Sequence, residues 1–585
     1  MTKTAVASKS GYGAADAATE VRRTASQWTG DKVFAEALAA YGANHFFHVP
    51  VIMPGAVVEM TALGLNPIVA HTEKAAAYMA DGYARASGRI GVCGSQAIGA
   101  ANLAAGLLDA YMARSPVLAV TGSGTPDTGE RNFYQEADLR GFFAGVTKMS
   151  ARVGSAGRLA DLIRQAVRTA VSGQPGPAHL EIAGFWGSLG TEEAPEPPAF
   201  EPRYGVCPPR RPAGDRDQIA ALARRLVEAA RPVVVAGGGI RASQAATQLL
   251  AFIRKAQIPV VTSLDAKAAI PESEPLSAGV VGDYSRDTAN IAVSEADFVL
   301  FVGTTTGSMV TRNWTIPATG IAAAQIDIEP RELGRNYPLE IGVVGDPGAV
   351  LDELAAIVKP NPDRGAWLAR IADLRRQWAE QAAKVEASSV LPLRPERVMR
   401  ELSDALPEGA LVVVDTGHSA AWSCRHLYLD KRGQGLLRAA GSLGWSFPAS
   451  LGAKCGQPDR PVVCFTGDGG FMYHMSEMET ALRYGIRTVT VVNNNASFSQ
   501  ERFLWRSESA LARNWRFSQV DFARSAEAFG CAAFQVERAG ALAPALRAAF
   551  ASDRPAVIEV LSDPMVAAPP SWAPGSPGPT YGGAA

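Results

Sequence analysis

The chain has 585 residues, 47% hydrophobic and 19% charged, which is material for three or four domains with ample buried cores. Its formal net charge of -1 argues against a nucleic-acid or anionic-membrane partner, since both reward a basic surface. The 6 cysteines are scattered without CxxC pairs, and no long apolar span or signal segment is present, so reduced core thiols and a cytoplasmic protein are expected.

Residues 1–28 are rich in Ala, Ser and Thr and lack apolar periodicity, as in a mobile arm. Over 29–190, helical and strand patterns alternate: helix 32–41, strand 45–49, strand 67–70, helix 75–87, and finally strand 178–182. Residues 191–214 are Pro-rich and charged and read as an extended linker. A second unit, 215–360, has strands at 232–236, 298–302 and 324–328. The first two run into glycine and small hydroxyl residues (237–239, 303–308), so the unit offers a nucleotide crevice or an empty one. A charge-alternating helix over 365–387 dominates the connector 361–394, and a third unit follows over 395–563. The Pro/Gly-rich tail, 564–585, reads as disordered or, given Trp572 and Tyr581, as a lid. Strands separated by helices predict an α/β protein of three consecutive doubly wound parallel-sheet domains.

In the third unit, strand 461–465 opens into Gly467, Asp468, Gly469 and Gly470. Strand 488–492 opens into Asn493, Asn494 and Asn495, with a helix over 475–484 between them. Glycines admit a phosphate close to the backbone. Asp468, the amide oxygen of Asn495 and the carbonyl of Ser497 form a hard-oxygen set suited to a divalent ion whose other positions go to phosphate and water.

GDG, about 25 residues, then NN after a strand resembles the signature of thiamine-diphosphate (ThDP) enzymes. The likeness spans about 30–563, in the domain order pyrimidine-binding, middle, diphosphate-binding of the acetolactate synthase–pyruvate oxidase group. It implies ThDP and Mg²⁺ as cofactors, and a pocket between two subunits of a homodimer or dimer of dimers. In AHTEKAAAYMADGYAR it makes Glu73 the catalytic carboxyl beside the cofactor's pyrimidine. In GSLGWSFPASLGAK it makes Leu443 the apolar wedge beneath the cofactor and Gly441 a backbone acceptor. In VVVDTGHSAAW it suggests Gly417, His418 and Ser419 as phosphate donors, and in NFYQEADL it turns Phe133 and Gln135 toward the reacting carbon, Gln135 as an oxyanion donor. Each has a plainer reading as a core residue, surface loop or helix-start carboxylate.

The chain also departs from that pattern. FFHVPVIM places His48 where relatives usually carry Gly and is more similar to the oxalyl-CoA decarboxylase and 2-hydroxyacyl-CoA lyase branch. GSQAIGAAN leaves Gln96 where some decarboxylases have a catalytic His. Gln500 and Glu501 stand where acetolactate synthases are apolar, and suggest a substrate bearing hydroxyl or carbonyl groups; pairing of Glu501 with a neighbouring Arg in solvent is the alternative. Gln174 replaces an Arg usual in FAD-binding relatives, leaving FAD, ADP or nothing for the middle crevice. GDYSRDTAN and GTTTGSMVTRNW resemble the cyclohexane-1,2-dione hydrolase branch. The expected function is a ThDP/Mg²⁺-dependent lyase or carboligase acting on a 2-oxo acid. A 2-hydroxyacyl-CoA lyase or oxalyl-CoA decarboxylase, a 1,2-diketone hydrolase, a flavin oxidase and a silent regulatory homologue are the alternatives.

Overall fold

A computed structural model describes residues 28–576 except 126, 197–198 and 505–512. The expected N-terminal arm up to 27 and Tyr581 of the tail lie outside the described residues. Among the described residues, eighteen strands form three six-stranded sheets in chain order. The first holds β1 (His45–His48), β2 (Asn66–Val69), β3 (Gly91–Ser95), β4 (Val117–Ser123), β5 (Met149–Val153) and β6 (Ala178–Ala183). The second holds β7 (Pro232–Ala236), β8 (Val260–Thr262), β9 (Ser277–Val280), β10 (Phe298–Val302), β11 (Ala322–Asp327) and β12 (Ile341–Val344). The third holds β13 (Leu411–Val414), β14 (Gly435–Arg438), β15 (Val462–Gly467), β16 (Val489–Asn494), β17 (Ala532–Val536) and β18 (Ala556–Leu561).

Every pairing between these strands is parallel. Helices cover both faces of such sheets, which is why β10 reads FVLFV and is buried at all five positions. The first sheet runs β2-β1-β3-β4-β6-β5 and the third β14-β13-β15-β16-β18-β17, the same order twelve strands later. In both, the order reverses between the first and third strands of the unit; in the second sheet it reverses between β7 and β10. Reversal leaves a crevice beyond the carboxyl ends of the two strands, the place where open α/β sheets hold ligands.

The first and third units share one core, which joins Ala76, Met79 and Leu103 to Phe447, Leu451 and Phe471. Its axis is a pair of helices, Glu73–Ser87 and Ser446–Gly456. Thr72 caps the first, its hydroxyl accepting from Ala75 N at 3.1 Å, and Gly88 ends it at φ 68°. Small residues let the backbones touch: a Cβ at Gly82 would lie 2.0 Å from the Ala449 carbonyl oxygen, and one at Gly452 1.8 Å from that of Met79. A buried ionic cluster locks the pair. Arg85 donates to Asp81 and Asp109, and Trp445 Nε1 donates to Asp81 at 2.8 Å.

Several expectations need correction. Asn493 and Asn494 lie within β16, because pairing with β18 continues as far as Leu561. The GDG turn is the start of a short helix, Asp468–Met472, and the helix expected over 475–484 is Glu477–Arg483. The described part of the 191–214 segment is packed: Ala194, Tyr204 and Cys207 lie in the core of the first unit, where they outweigh the prolines around them, and the Pro212 carbonyl accepts from Asp346 N of the second. The described tail is anchored as well. Arg502 donates to the Pro564 carbonyl at 2.7 Å, Asn290 to that of Trp572 at 2.9 Å, and the Trp572 ring packs on the middle core. Among the described residues no helix is long and apolar enough to cross a membrane.

Candidate active site

The reversal between β13 and β15 opens into a cleft of about 300 Å³. Thr416–Ser419 reach it from β13, Gly467–Gly470 from β15, and Asn493, Asn495 and 497–501 from β16; Gly441 and Leu443 close one side. Most residues expected to hold the cofactor's diphosphate therefore converge on one crevice. Asp468 is buried. Its Oδ1 accepts from Gly469 N at 2.7 Å and its Oδ2 from Asn495 N at 2.8 Å, which fixes the carboxylate at the mouth of β15. Burial pushes its pKa up to about 6, against those backbone donors. Beside it, Asn493 Oδ1 and Ser497 Oγ are buried without hydrogen-bond partners. Buried polar atoms are seldom left unpaired, so these orphans need a ligand or water. Asn495 Oδ1 accepts from Ser499 Oγ at 3.0 Å and keeps a lone pair for another contact.

The cradle is glycine by necessity. A Cβ at Gly469 would fall 2.4 Å from the Phe498 ring, and Gly417 has φ 71°. Asp415, beneath the cleft, takes hydrogen bonds from Thr416 N, Gly444 N and the Ser446 hydroxyl and so ties the Gly441–Leu443 loop to β13. The same loop is held from the first unit: Asp109 accepts from the backbone N–H groups of Ala440, Gly441 and Ser442 at 2.9–3.1 Å. His418 stands at the start of the helix His418–His426. Burial lowers its pKa to about 4, so near neutrality it can donate only from a neutral ring.

The remaining predicted residues gather elsewhere, at the corresponding reversal of the first sheet. His48 ends β1 and Gln96 follows β3. Glu73 Oε2 accepts from Asn102 Nδ2 at 3.2 Å, and a Cβ at Gly99 would lie 2.5 Å from Glu73 Oε1. Gln135, at φ 63°, accepts from Ile98 N at 3.0 Å, so Glu73 and Gln135 both rest on the turn after β3. Phe133 stacks edge-on to Phe185 at 6.4 Å. His48 is buried flat against Phe46 at 4.8 Å, and burial lowers its pKa to about 4, so it is not a charged acid near neutrality. None of these five lines the third-sheet cleft. Within one chain the predicted site is thus two half-sites.

Gln500 does line the cleft, and its Oε1 accepts from the Tyr284 hydroxyl at 2.8 Å. Tyr284 belongs to the middle unit; its GDYSRDTAN segment was singled out by resemblance, but Tyr284 itself was given no role. Asp109 was silent. Asn493 could have been found as the first residue of the Asn triplet. The middle crevice holds about 190 Å³ between Gly238–Gly239, Thr304–Thr305, Gln174 and Asp327, whose carboxyl burial raises to about 6.

Three domain families match in the order of the three sheets. The N-terminal TPP binding domain of thiamine pyrophosphate enzymes matches residues 28–141, the central domain 219–354 and the C-terminal TPP binding domain 415–560. The chain belongs to the thiamine pyrophosphate enzymes of the acetolactate synthase and pyruvate oxidase-like superfamily. It is a ThDP-dependent enzyme, a carboligase or lyase at the level of that superfamily. It is similar to a probable acetolactate synthase large subunit of Methanocaldococcus jannaschii, 32% identical over 526 residues and 86% of each chain. It is also similar to the acetolactate synthase large subunit of Lactococcus lactis, 30% identical over 85% of this chain and 86% of the relative. A putative thiamine pyrophosphate-containing protein, YdaP, of Bacillus subtilis is 29% identical over 91% of each.

Proposed function

We propose that the chain is a ThDP- and Mg²⁺-dependent lyase or carboligase that acts on a 2-oxo acid or a related carbonyl compound, in the manner of acetolactate synthase, as a homodimer or a dimer of dimers. The observation that carries this is the buried Asp468 carboxylate at a glycine-walled switch point, flanked by the unpaired oxygens of Asn493 and Ser497. Mg²⁺ is commonly held by one or two carboxylates plus substrate phosphates, and the residues present fit that pattern: Asp468, Asn495 and the Ser497 carbonyl would hold the ion. Gly417, His418 and Ser419, at a helix start, would donate to the diphosphate. Bound, the cofactor supplies the electron sink for breaking or making a carbon–carbon bond beside a carbonyl. Leu443, half-buried at the cleft wall, would set the cofactor's bend, and Gly441 its backbone contact.

Glu73, Gln135, Gln96 and His48 would face the cofactor's other end from a second copy of the chain. The separation of the two half-sites within one chain supports that reading. The middle crevice would take FAD or ADP, with Asp327 at the β11 tip suited to a ribose hydroxyl.

A survey by mass spectrometry of products from pyruvate, a 2-hydroxyacyl-CoA and a cyclic diketone tests the activity. Calorimetry tests the anchor: Asp468→Ala should lose Mg²⁺-dependent ThDP binding, and unchanged affinity would remove Asp468 from the site.

A further inference from the structure

We infer that Tyr284, from the middle unit, is a positioning residue for substrate: it holds the Gln500 amide so that the Nε2 end serves as hydrogen-bond donor to the carbonyl or carboxylate oxygen of the compound being processed. The inference rests on the function proposed above and names a specificity device within that site.

The contact is direct. The Tyr284 hydroxyl donates to Gln500 Oε1 at 2.8 Å, while Gln500 Nε2 has no partner among the described residues. An amide whose oxygen is taken presents two N–H groups, so it becomes a donor to substrate and no longer an ambiguous pair of donor and acceptor. The amide oxygen also sits close to the cofactor cradle, since a Cβ at Gly417 would lie 3.5 Å from it.

Both partners are held from outside. The Tyr284 loop starts at Gly282 (φ 114°), whose N–H and carbonyl are both bound by the Asn290 side chain at 2.8 and 3.0 Å. Its far side is tied to the helix His418–His426: Arg425 donates to the Ser285 carbonyl at 2.9 Å, and Arg286 Nε to the Arg425 carbonyl at 2.9 Å. Gln500 lies on the helix Ser499–Leu504, where Arg502 clasps the Pro564 carbonyl. From there the tail returns to the Tyr284 loop, where the Ser571 hydroxyl donates to the Asp283 carbonyl and Trp572 N to Asp287 Oδ1. One strap thus joins the helix that bears Gln500 to the loop that bears Tyr284. Such double restraint pre-organises a donor and lowers the entropy cost of binding its acceptor.

The test is a double-mutant cycle on the cofactor-loaded full chain, with the carbonyl compound best used from a panel of pyruvate, a 2-hydroxyacyl-CoA and a cyclic diketone. Tyr284→Phe should raise KM about tenfold while kcat stays within about twofold and ThDP affinity and Tm are unchanged. Gln500→Ala should raise KM at least as much, and the double variant should be no worse than Gln500→Ala alone. A Tyr284→Phe protein with the parental KM, or penalties that multiply in the double variant, would overturn the inference while an active parent leaves the proposed function standing. A parent that binds ThDP and turns over no carbonyl compound would remove both.

Discussion

Asp468, the proposed cofactor anchor, and Glu73, the proposed catalytic carboxyl, belong to different units of the chain, and their surroundings differ accordingly. Asp468 is buried, gripped by backbone N–H groups and flanked by unpaired oxygens. Glu73 is partly exposed at the start of a helix, with Asn102 as its partner and room made by Gly99. If Glu73 sets the cofactor's proton balance as proposed, Glu73→Gln keeps the shape and the Asn102 neighbour but loses the ionisable group. Turnover should fall at least a hundredfold with ThDP binding retained, measured by steady-state kinetics beside calorimetry. Full activity would strike Glu73 from the mechanism. At this scale the sequence was informative where chemistry and spacing coincide, as in GDG and the Asn triplet. It gave no role to Tyr284, though the GDYSRDTAN segment around it stood out, and it was silent for Asp109; their importance comes from partners 216 and more than 330 residues away. Long-range contacts of single side chains leave no periodicity to read.

The elements were legible because parallel strands buried on both faces must be apolar runs, and β7 and β10 stand at the residues where those runs occur. The end of β16 was read two residues short, and the helix that begins at Asp468 was read as a turn. Polar Asn side chains concealed backbone pairing that β18 continues to satisfy, and glycines read as a turn are the first turn of a helix. The contact between the helices Glu73–Ser87 and Ser446–Gly456 is where element and site meet, since it fixes the first unit against the loop that carries Leu443. Gly452→Val would drive its side chain into the Met79 carbonyl, backbone that cannot move aside. A loss of roughly 1–3 kcal/mol in stability is expected, read by urea denaturation. Gly365→Ala, with nothing within 4 Å of the new methyl, should be close to neutral. Equal behaviour of the two variants would show that the helix contact is not the tight joint described.

At the scale of the whole molecule, two sheets of identical strand order reverse at the same topological point; the cleft at one is lined by ThDP-anchoring candidates, and beside the other Glu73 and Gln135 bond to residues that follow β3. A single chain does not bring them into one pocket; the proposed pairing of two chains would, twice over. That is the central claim, and complementation tests it most directly. Chains carrying Glu73→Gln and chains carrying Asp468→Ala, each inactive alone, are co-expressed with different tags and the mixed dimer is isolated. A site shared between chains leaves one of two sites with neither change, so the mixed dimer should show about half the parental activity. A mixed dimer as inactive as its parents would contradict the claim, because each site would then be built from one chain alone.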